Sequence, residues 1–566
     1  MKRAVWRSCA ASVLSLLCFD AAAEPAGVSG PYLLARHAAL SSDYGRAADH
    51  YAHVIARDPG NRTVMESAVS AYLNAGEAER AAEVARLLDR SGEVSQIATM
   101  ALVVDHAAAG RWDAILRTQS DGREIGPLMD ALAEGWALSG QGEAEAALSA
   151  FRALSESRGL AAFGHLHEAL LRASLGDWAG AERIFAGRDA TGQKVRDPVR
   201  LNRRTAILRA SLLSQLNRNE HAVALIDHLF DGRSDPGVAA LRARLAVGER
   251  IPYTGPLTAR EGMAEAFYTV ATALRGEAAN GYVLLYGQAA AALAPEHGDA
   301  ALLAGSLLRS LKRHEEAEAQ FALVAPEHPA HARAQLSRAS SLRAQGRGRE
   351  AVSVLRDLAD RHPEVPRIQT ALGDVLRAQD RLTEAASAYD RALAVHEDPA
   401  EAPWSLHYAR AMAREGLGDW TGARADLGRA LEIEPDEPRV LHHLGSGMLK
   451  RGEPLGEALA LIERAVEAAP EDGAMTGTLG WALYRMGRIE EAVEHLERAA
   501  VLSPLDVALN DHLGDAFWTA GRRREARFQW HRALGLGADR EVAELIRRKL
   551  ARGLEAGGPI ALAAER

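Results

Sequence analysis

Cysteine is nearly absent from this chain, and the only two, Cys9 and Cys18, lie within the first 18 of its 566 residues. The same stretch has basic residues at 2–3, an apolar run at 9–19 and three alanines at 21–23. This order is typical of a secretory signal peptide, because an apolar run of 11 residues is too short to span a bilayer. We therefore expect cleavage after residue 23 and export to the periplasm. The mature chain then has neither thiol chemistry nor disulfides.

A lipid anchor is not expected, although a cysteine lies near the predicted cleavage site. Leu17 precedes Cys18 at the position where lipoprotein processing prefers a small residue. No later apolar run approaches the roughly 20 residues of a membrane-spanning helix. The sequence therefore predicts an exported protein without a transmembrane segment, for which association with the outer membrane stays open.

Aromatic residues are also scarce, at 5% of the chain, although 48% of its residues are hydrophobic. A chain rich in Ala, Leu and Val but poor in aromatics does not favour an all-β fold. The net charge of -9 gives no overall basic footprint, so we expect no nucleic-acid partner. The high apolar fraction excludes disorder over most of the chain.

The sequence does contain a regular repeat. Proline recurs every 34 to 36 residues, at Pro295, Pro329, Pro363, Pro399, Pro435, Pro470 and Pro504. Other residue types return with the same phase: Gly480 is followed by Leu483, Gly487, Ala492 and Leu496, and Gly514 by Phe517, Gly521, Ala526 and Trp530. The spacing predicts two antiparallel helices per unit, with a small residue at their close approach, glycine in the turn and proline after the second helix.

The repeat resembles the tetratricopeptide repeat (TPR) most closely from about residue 298 to 540, and in degenerate form before that. The resemblance implies an all-α fold, a right-handed α-solenoid of stacked helix-turn-helix units, of which we expect about fourteen. Residues 95–125 and 260–296 fit the pattern worst. The predicted parts are a signal peptide (1–23), a degenerate N-terminal array (31–232), a linker (233–259), a C-terminal array (260–540), a capping helix (541–555) and a flexible tail (556–566). Whether the linker is a hinge or a rigid elbow is left open.

No segment is long and non-repetitive enough for a catalytic domain, so we predict that the protein is not an enzyme. The 20 histidines form no motif with the spacing of metal ligands, since neighbours such as His442 and His443 point about 100° apart on a helix. Neither a metal nor another cofactor is expected.

The family resemblance implies that the first helix of each repeat lines a concave groove. Cations recur at positions 2, 12 and 13 of these first helices. Aromatic residues lie nearby, and they could hold apolar side chains of a ligand. The predicted partner-binding residues are Arg309, Arg333, Arg343, Arg367, Arg377, Tyr408, Arg439, Lys450, Trp481, Tyr484, Arg485 and Trp518. Arginine suits carboxylates, so acidic side chains or a C-terminal carboxylate are the expected ligands. The alternative interpretation is that these arginines are solvated surface residues paired with neighbouring acids.

The segments 479–487 and 510–518 are similar to long bacterial envelope proteins built almost wholly of these repeats, the protease adaptors of the LbcA type. This resemblance implies a non-enzymatic periplasmic scaffold or adaptor that binds protein or peptide partners. The alternative is an assembly or secretion factor at the outer membrane. Carbohydrate binding through the groove aromatics also stays open.

Overall fold

The computed structural model describes residues 27–92, 94–189, 192–230, 235–396, 398 and 401–554. The predicted signal peptide and the predicted tail lie outside these residues. Within them the chain is all-α, with helices joined by short turns and no strand beyond isolated bridges. It divides into two compact units, residues 1–347 and residues 348–566. Each unit is a stack of antiparallel helix pairs.

The first unit has eighteen helices in its described residues, most of them paired with the next helix along the chain. They are α1 (Ser29–Leu40), α2 (Tyr44–Ile55), α3 (Arg62–Asn74), α4 (Ala78–Arg90), α5 (Gln96–Ala108), α6 (Trp112–Ser120), α7 (Pro127–Gly140), α8 (Ala144–Glu156), α9 (Ala161–Ser174), α10 (Trp178–Phe185), α11 (Arg203–Gln215), α12 (Asn219–Leu229), α13 (Pro236–Ala246), α14 (Ala259–Leu274), α15 (Asn280–Leu293), α16 (Gly298–Ser310), α17 (His314–Ala322) and α18 (His331–Ala344). The pairs run from α1–α2 to α11–α12 and resume with α14–α15 and α16–α17; outside them, α13 packs on α12 and α18 packs on α17.

The second unit continues the same arrangement over its described residues. Its helices are α19 (Gly348–Arg361), α20 (Pro366–Arg377), α21 (Leu382–Ala394), α22 (Trp404–Gly416), α23 (Trp420–Ile433), α24 (Pro438–Arg451), α25 (Leu455–Ala468), α26 (Gly473–Arg485), α27 (Ile489–Leu502), α28 (Val507–Thr519), α29 (Arg523–Gly535) and α30 (Arg540–Arg552). The pairs begin at α20, α22, α24, α26 and α28, and α30 packs on α29 at the end of the stack.

The repeated small residues and glycines have the roles that the pattern predicts. A Cβ added at Gly480 would lie 2.6 Å from Leu496, and one at Gly514 would lie 2.5 Å from Trp530. These positions therefore admit the second helix only because they lack a side chain. Gly487 and Gly521 end the turns with φ of +76° and +82°, where glycine is favoured over other residues.

The segment that the sequence predicts as a linker, 233–259, is described from residue 235 onward. In its described part, α13 buries Val238 and Leu241 in one cluster with residues of α11 and α12, and Ile251 joins the same cluster. The start of α13 also abuts a later turn, where Gly237 leaves no room for a Cβ beside the Pro329 carbonyl. The proline and glycine residues of this segment therefore shape packed turns.

The α14–α15 hairpin is the largest departure from a plain row of repeats. Instead of contacting only its neighbours in sequence, α14 packs on α7, α9 and α5, and α15 packs on α3 and α5. All of these are first helices of the N-terminal pairs. Residues of every helix from α1 to α18 except α12 and α13 consequently share one hydrophobic core.

Candidate partner-binding surface

The candidate surface is the side of the second unit formed by its first helices. Successive first helices contact one another: α20 contacts α22, α24 contacts α26, and α26 contacts α28. A close approach of this kind is expected on the inner side of a curved stack. We call the exposed sides of α20, α22, α24, α26 and α28 the first-helix face.

Three of the predicted residues converge near the start of this face. The half-buried Tyr408 of α22 lies close enough to Arg439 and Arg377 for both cations to act on its hydroxyl. Burial raises the pKa of Tyr408, and the two arginines offset part of that rise. Arg439 also lies 4.9 Å from the ring centre of Trp404 and pairs with Glu437 at 2.8 Å. The guanidinium of Arg439 and the two partly exposed rings, whose centres lie 6.2 Å apart, therefore occupy one patch, and Arg377 acts on Tyr408 through its charge.

A hydrogen-bonded acid borders this patch. His443 of α24 has its ring 5.8 Å from Tyr408, and its Nε2 bonds the carboxylate of Glu415, which also pairs with Arg451 at 3.1 Å. Burial raises the pKa of Glu415, but His443 and Arg451 outweigh burial and lower it overall. The carboxylate is therefore held ionised and is neutralised by its own neighbours.

Farther along the face, α26 and α28 carry a stack of three rings. Trp481 lies 5.0 Å from Tyr484 at an interplanar angle of 16°, and 3.8 Å from His512 at 9°. Burial lowers the pKa of His512 to about 3, and the nearby cation Lys549 contributes to that shift. The sequence predicts that Trp481 and Tyr484 could hold apolar side chains of a ligand. Within the chain, Trp481 joins α26 to α28 through His512, and the Tyr484 hydroxyl lies 3.1 Å from that of Thr519 on α28.

Trp518 is also engaged within the chain. Its ring lies 5.4 Å from Trp530 and 5.2 Å from the guanidinium of Arg523. A Cβ added at Gly553, just after α30, would lie 2.1 Å from Trp518. The end of the chain's described part therefore covers this indole, which the sequence assigns to the groove.

The predicted cations fall in both units. Arg309, Arg333 and Arg343 lie on α16 and α18 of the first unit, and the remaining ones lie on the first-helix face of the second. Arg485 donates to the Leu449 carbonyl at 3.0 Å. Over the ranges that the structure describes, no carboxylate lies within ion-pair distance of the following exposed residues: Arg309, Arg333, Arg343, Arg367, Arg377 and Lys450.

The positions of three of the predicted cations have a local explanation. Arg309, Arg343 and Arg377 each stand in the last turn of their helix, where the helix dipole favours a positive charge. Their regular spacing therefore does not by itself require a ligand.

Sequence reasoning missed an ion cluster at the end of the stack. Lys549 of α30 lies 2.8 Å from Asp511 and 2.7 Å from Asp515 of α28. Asp515 also accepts a hydrogen bond from Trp530 Nε1 at 3.0 Å. Burial raises the pKa of Asp515 to about 6 despite the nearby lysine. Among the described residues no cluster of His, Cys, Asp and Glu could hold a metal ion, and no helix is long and apolar enough to cross a membrane.

Replacing Lys549 with alanine is expected to lower the free energy of unfolding of the second unit by about 2 kcal/mol, because two largely buried carboxylates lose their cation. Urea titration followed by circular dichroism measures the loss. Lys450→Ala is the matched control, since Lys450 is exposed and unpaired with any described carboxylate. Equal midpoints for the two variants would contradict the role given to Lys549.

Comparisons with known proteins agree with this architecture. The tetratricopeptide repeat model matches residues 336–402, 408–473, 445–507 and 478–541. A TPR repeat-containing protein of Pseudomonas aeruginosa is 32% identical over 100 residues, which cover 17% of this chain and 17% of that protein. The match thus spans about a sixth of the relative's length.

Two solved structures are among those to which the chain is similar. The crystal structure of the APC/C hetero-tetramer Cut9–Hcn1 matches with a TM-score of 0.37 and 15% identity, over 93% of this chain and 96% of that one. The crystal structure of YrrB, a TPR protein with an unusual peptide-binding site, matches with a TM-score of 0.29 and 18% identity, over 34% of this chain and 97% of that one.

Proposed function

This chain carries tetratricopeptide repeats within residues 336–541, and from that premise we propose that it is a non-enzymatic scaffold for protein or peptide partners. The partner lies on the first-helix face of the second unit. Stacked helix pairs offer an extended surface with no chemistry of its own, and such arrays hold their ligands by surface complementarity.

The observation that carries this proposal is a set of exposed cations on first helices. Arg367, Arg377 and Lys450 are exposed and have no carboxylate within ion-pair distance among the described residues. An acidic protein with unneutralised cations on one face suits a ligand that brings the carboxylates. The partner therefore presents acidic side chains or a C-terminal carboxylate.

The location and biological role extend the same proposal. The first 23 residues have the composition of a signal peptide, which supports a periplasmic protein. The similarity to protease adaptors supports a role in bringing substrates to a periplasmic protease. Affinity capture from periplasmic extract, read by mass spectrometry, tests this role. A protease or cell-wall hydrolase in near-equal amount is the expected result, whereas recovery of outer-membrane assembly or secretion components would favour the alternative function.

Reversing the charge of both arginines at Tyr408, in the variant Arg377→Glu/Arg439→Glu, is expected to reduce partner capture at least tenfold. The variant places two carboxylates where the ligand's own carboxylate is expected, so repulsion replaces attraction. Quantitative mass spectrometry of the captured partner measures the loss, and circular dichroism checks folding. Arg464→Glu/Arg498→Glu is the matched control on second helices. Unchanged capture by the folded first variant would exclude this patch as the binding site.

A further inference from the structure

The first helices of the N-terminal array are already covered by the α14–α15 hairpin of the same chain. α14 and α15 contact α3, α5, α7 and α9, all of them first helices of successive pairs. The contacts are close: Gly262 of α14 lies so near Trp136 of α7 that an added Cβ would be 2.2 Å from the indole. Gln288 of α15 donates to the carbonyl of Asn74 at the end of α3, 214 residues away in sequence, at 3.2 Å. The hairpin therefore lies where a partner would bind in an open array.

We infer that the α14–α15 hairpin is a permanent, built-in ligand of the N-terminal array, and that this array does not offer its first-helix face to other proteins. Partner binding is thereby confined to the second unit. This last step rests on the function proposed above, whereas the closure of the first unit does not.

The burial of the hairpin supports permanent occupancy. Nine residues of α14 and nine of α15 are buried, and they lie on all sides of both helices. A helix that is apolar all round is stable only when it is enclosed. A hairpin of this composition would expose a large apolar surface on leaving the array, so its release is strongly disfavoured.

Two ion pairs join distant parts of the first unit around the hairpin. Glu265 of α14 pairs with Arg204 of α11 at 2.8 Å, and both side chains are almost fully buried. At the other end, Arg313 at the start of α17 pairs with Asp43 at the start of α2, 270 residues earlier, at 3.2 Å. The N-terminal pairs therefore surround the hairpin, and the next pair meets the first one.

α5, which meets the hairpin, is more buried than α22 and α24 of the candidate surface, although α26 of that surface buries nine of its thirteen residues. α5 buries eight of its thirteen residues, among them Met100, Val103 and Val104. The corresponding α22 and α24 leave Tyr408, Arg439 and Lys450 partly or fully exposed. An apolar first-helix face fits an apolar helix of the same chain, whereas a charged and aromatic one fits a soluble partner.

Hydrogen exchange of the full chain, read by mass spectrometry, tests closure without any partner. Amides of residues 259–293 are expected to be protected as long as those of α7 and α11, since hairpin and array open together. Exchange of the hairpin at least tenfold faster than that of α7 would overturn the inference, because it would show that the hairpin leaves an otherwise folded array.

Thiol labelling tests whether partners displace the hairpin. Beyond Cys9 and Cys18 the chain has no cysteine, so Ala289→Cys, at a position with 0% exposure in α15, reports on that site alone in the exported protein. It is expected to resist maleimide before and after incubation with periplasmic extract, while the exposed control Ala146→Cys on α8 is labelled in both. Labelling of residue 289 that rises after capture would overturn permanent occupancy. If nothing is captured, the proposed function fails, but resistance in the free protein still supports closure.

Discussion

Replacing Glu265 with alanine is expected to lower the free energy of unfolding of the first unit by about 3–5 kcal/mol, which is the cost of stranding a buried charge. Glu265 is 2% exposed. Its carboxylate accepts a hydrogen bond from Arg204 at 2.8 Å and lies 3.0 Å from His297 Nε2. Burial alone would raise the pKa of Glu265, but Arg204 and His297 outweigh burial and hold that pKa well below its usual range. Without the carboxylate, Arg204 keeps only Asp299 at 3.6 Å.

Hydrogen exchange under increasing urea measures the loss for each unit separately, because a repeat protein need not unfold in one step. The exposed Glu277→Ala, just beyond α14, is the control. A second comparison separates burial from pairing: Arg204→Met/Glu265→Met removes both charges and is expected to recover most of the stability that Glu265→Ala loses. A loss below about 1 kcal/mol for Glu265→Ala would mean that the pair does not hold the hairpin in the array.

The fold could be predicted best where each helix contacts only its neighbours. From about residue 298 onward, the small residue at Gly480 or Gly514, the turn at Gly487 or Gly521 and the recurring proline fix each pair and its stacking on the next. These relations are local, so a 34-residue pattern contains them. The all-α class and the helix pairs follow from such residues.

The enclosed hairpin could not be predicted in the same way, because its contacts join residues up to 214 positions apart. They depend on how far the row of N-terminal pairs curves, which no single repeat encodes. One signal was nevertheless present in the sequence. α15 has no charged residue, and apolar or small residues take most positions of α5 and α14, which predicts enclosure on more than one face. The poor fit of residues 260–296 to the repeat has the same cause, since these helices pack on the array as well as within the stack.

The candidate surface stays a prediction. Repeat phase selected Arg377 and Arg439, and Tyr408 was added as a nearby aromatic residue; in the structure burial raises the pKa of Tyr408 and both arginines offset part of that rise. Phase also selected Trp481 and Trp518, whose rings are covered by His512 and by the residues after α30. A repeat position says which helix side a residue occupies. It does not say whether a neighbouring repeat has already covered that side chain.

Acidification is expected to destabilise the first unit through His167, by about 3 kcal/mol between pH 7 and pH 4. His167 is 0% exposed, and burial lowers its pKa to about 4, which the nearby Glu265 offsets only in part. Its Nδ1 accepts a hydrogen bond from Trp136 Nε1 at 2.9 Å, which requires the neutral ring. In the unfolded chain, histidine has a pKa of about 6.5. The folded pKa is the lower one, so this stability is complete above about pH 6.5 and is lost as the pH falls towards 4.

His167→Gln separates this effect from the titration of other groups, since an amide oxygen can accept the indole hydrogen bond but binds no proton in this range. The variant is expected to lose less stability than the wild type between pH 6.5 and pH 4.5. Urea midpoints across that range, read from tryptophan fluorescence, measure the two slopes, and the solvent-accessible His53→Gln serves as the control. Parallel slopes for wild type and His167→Gln would contradict the assignment. A shallower slope would show that the neutral His167, which joins α9 to α7 beneath the hairpin, makes the enclosed array sensitive to acid.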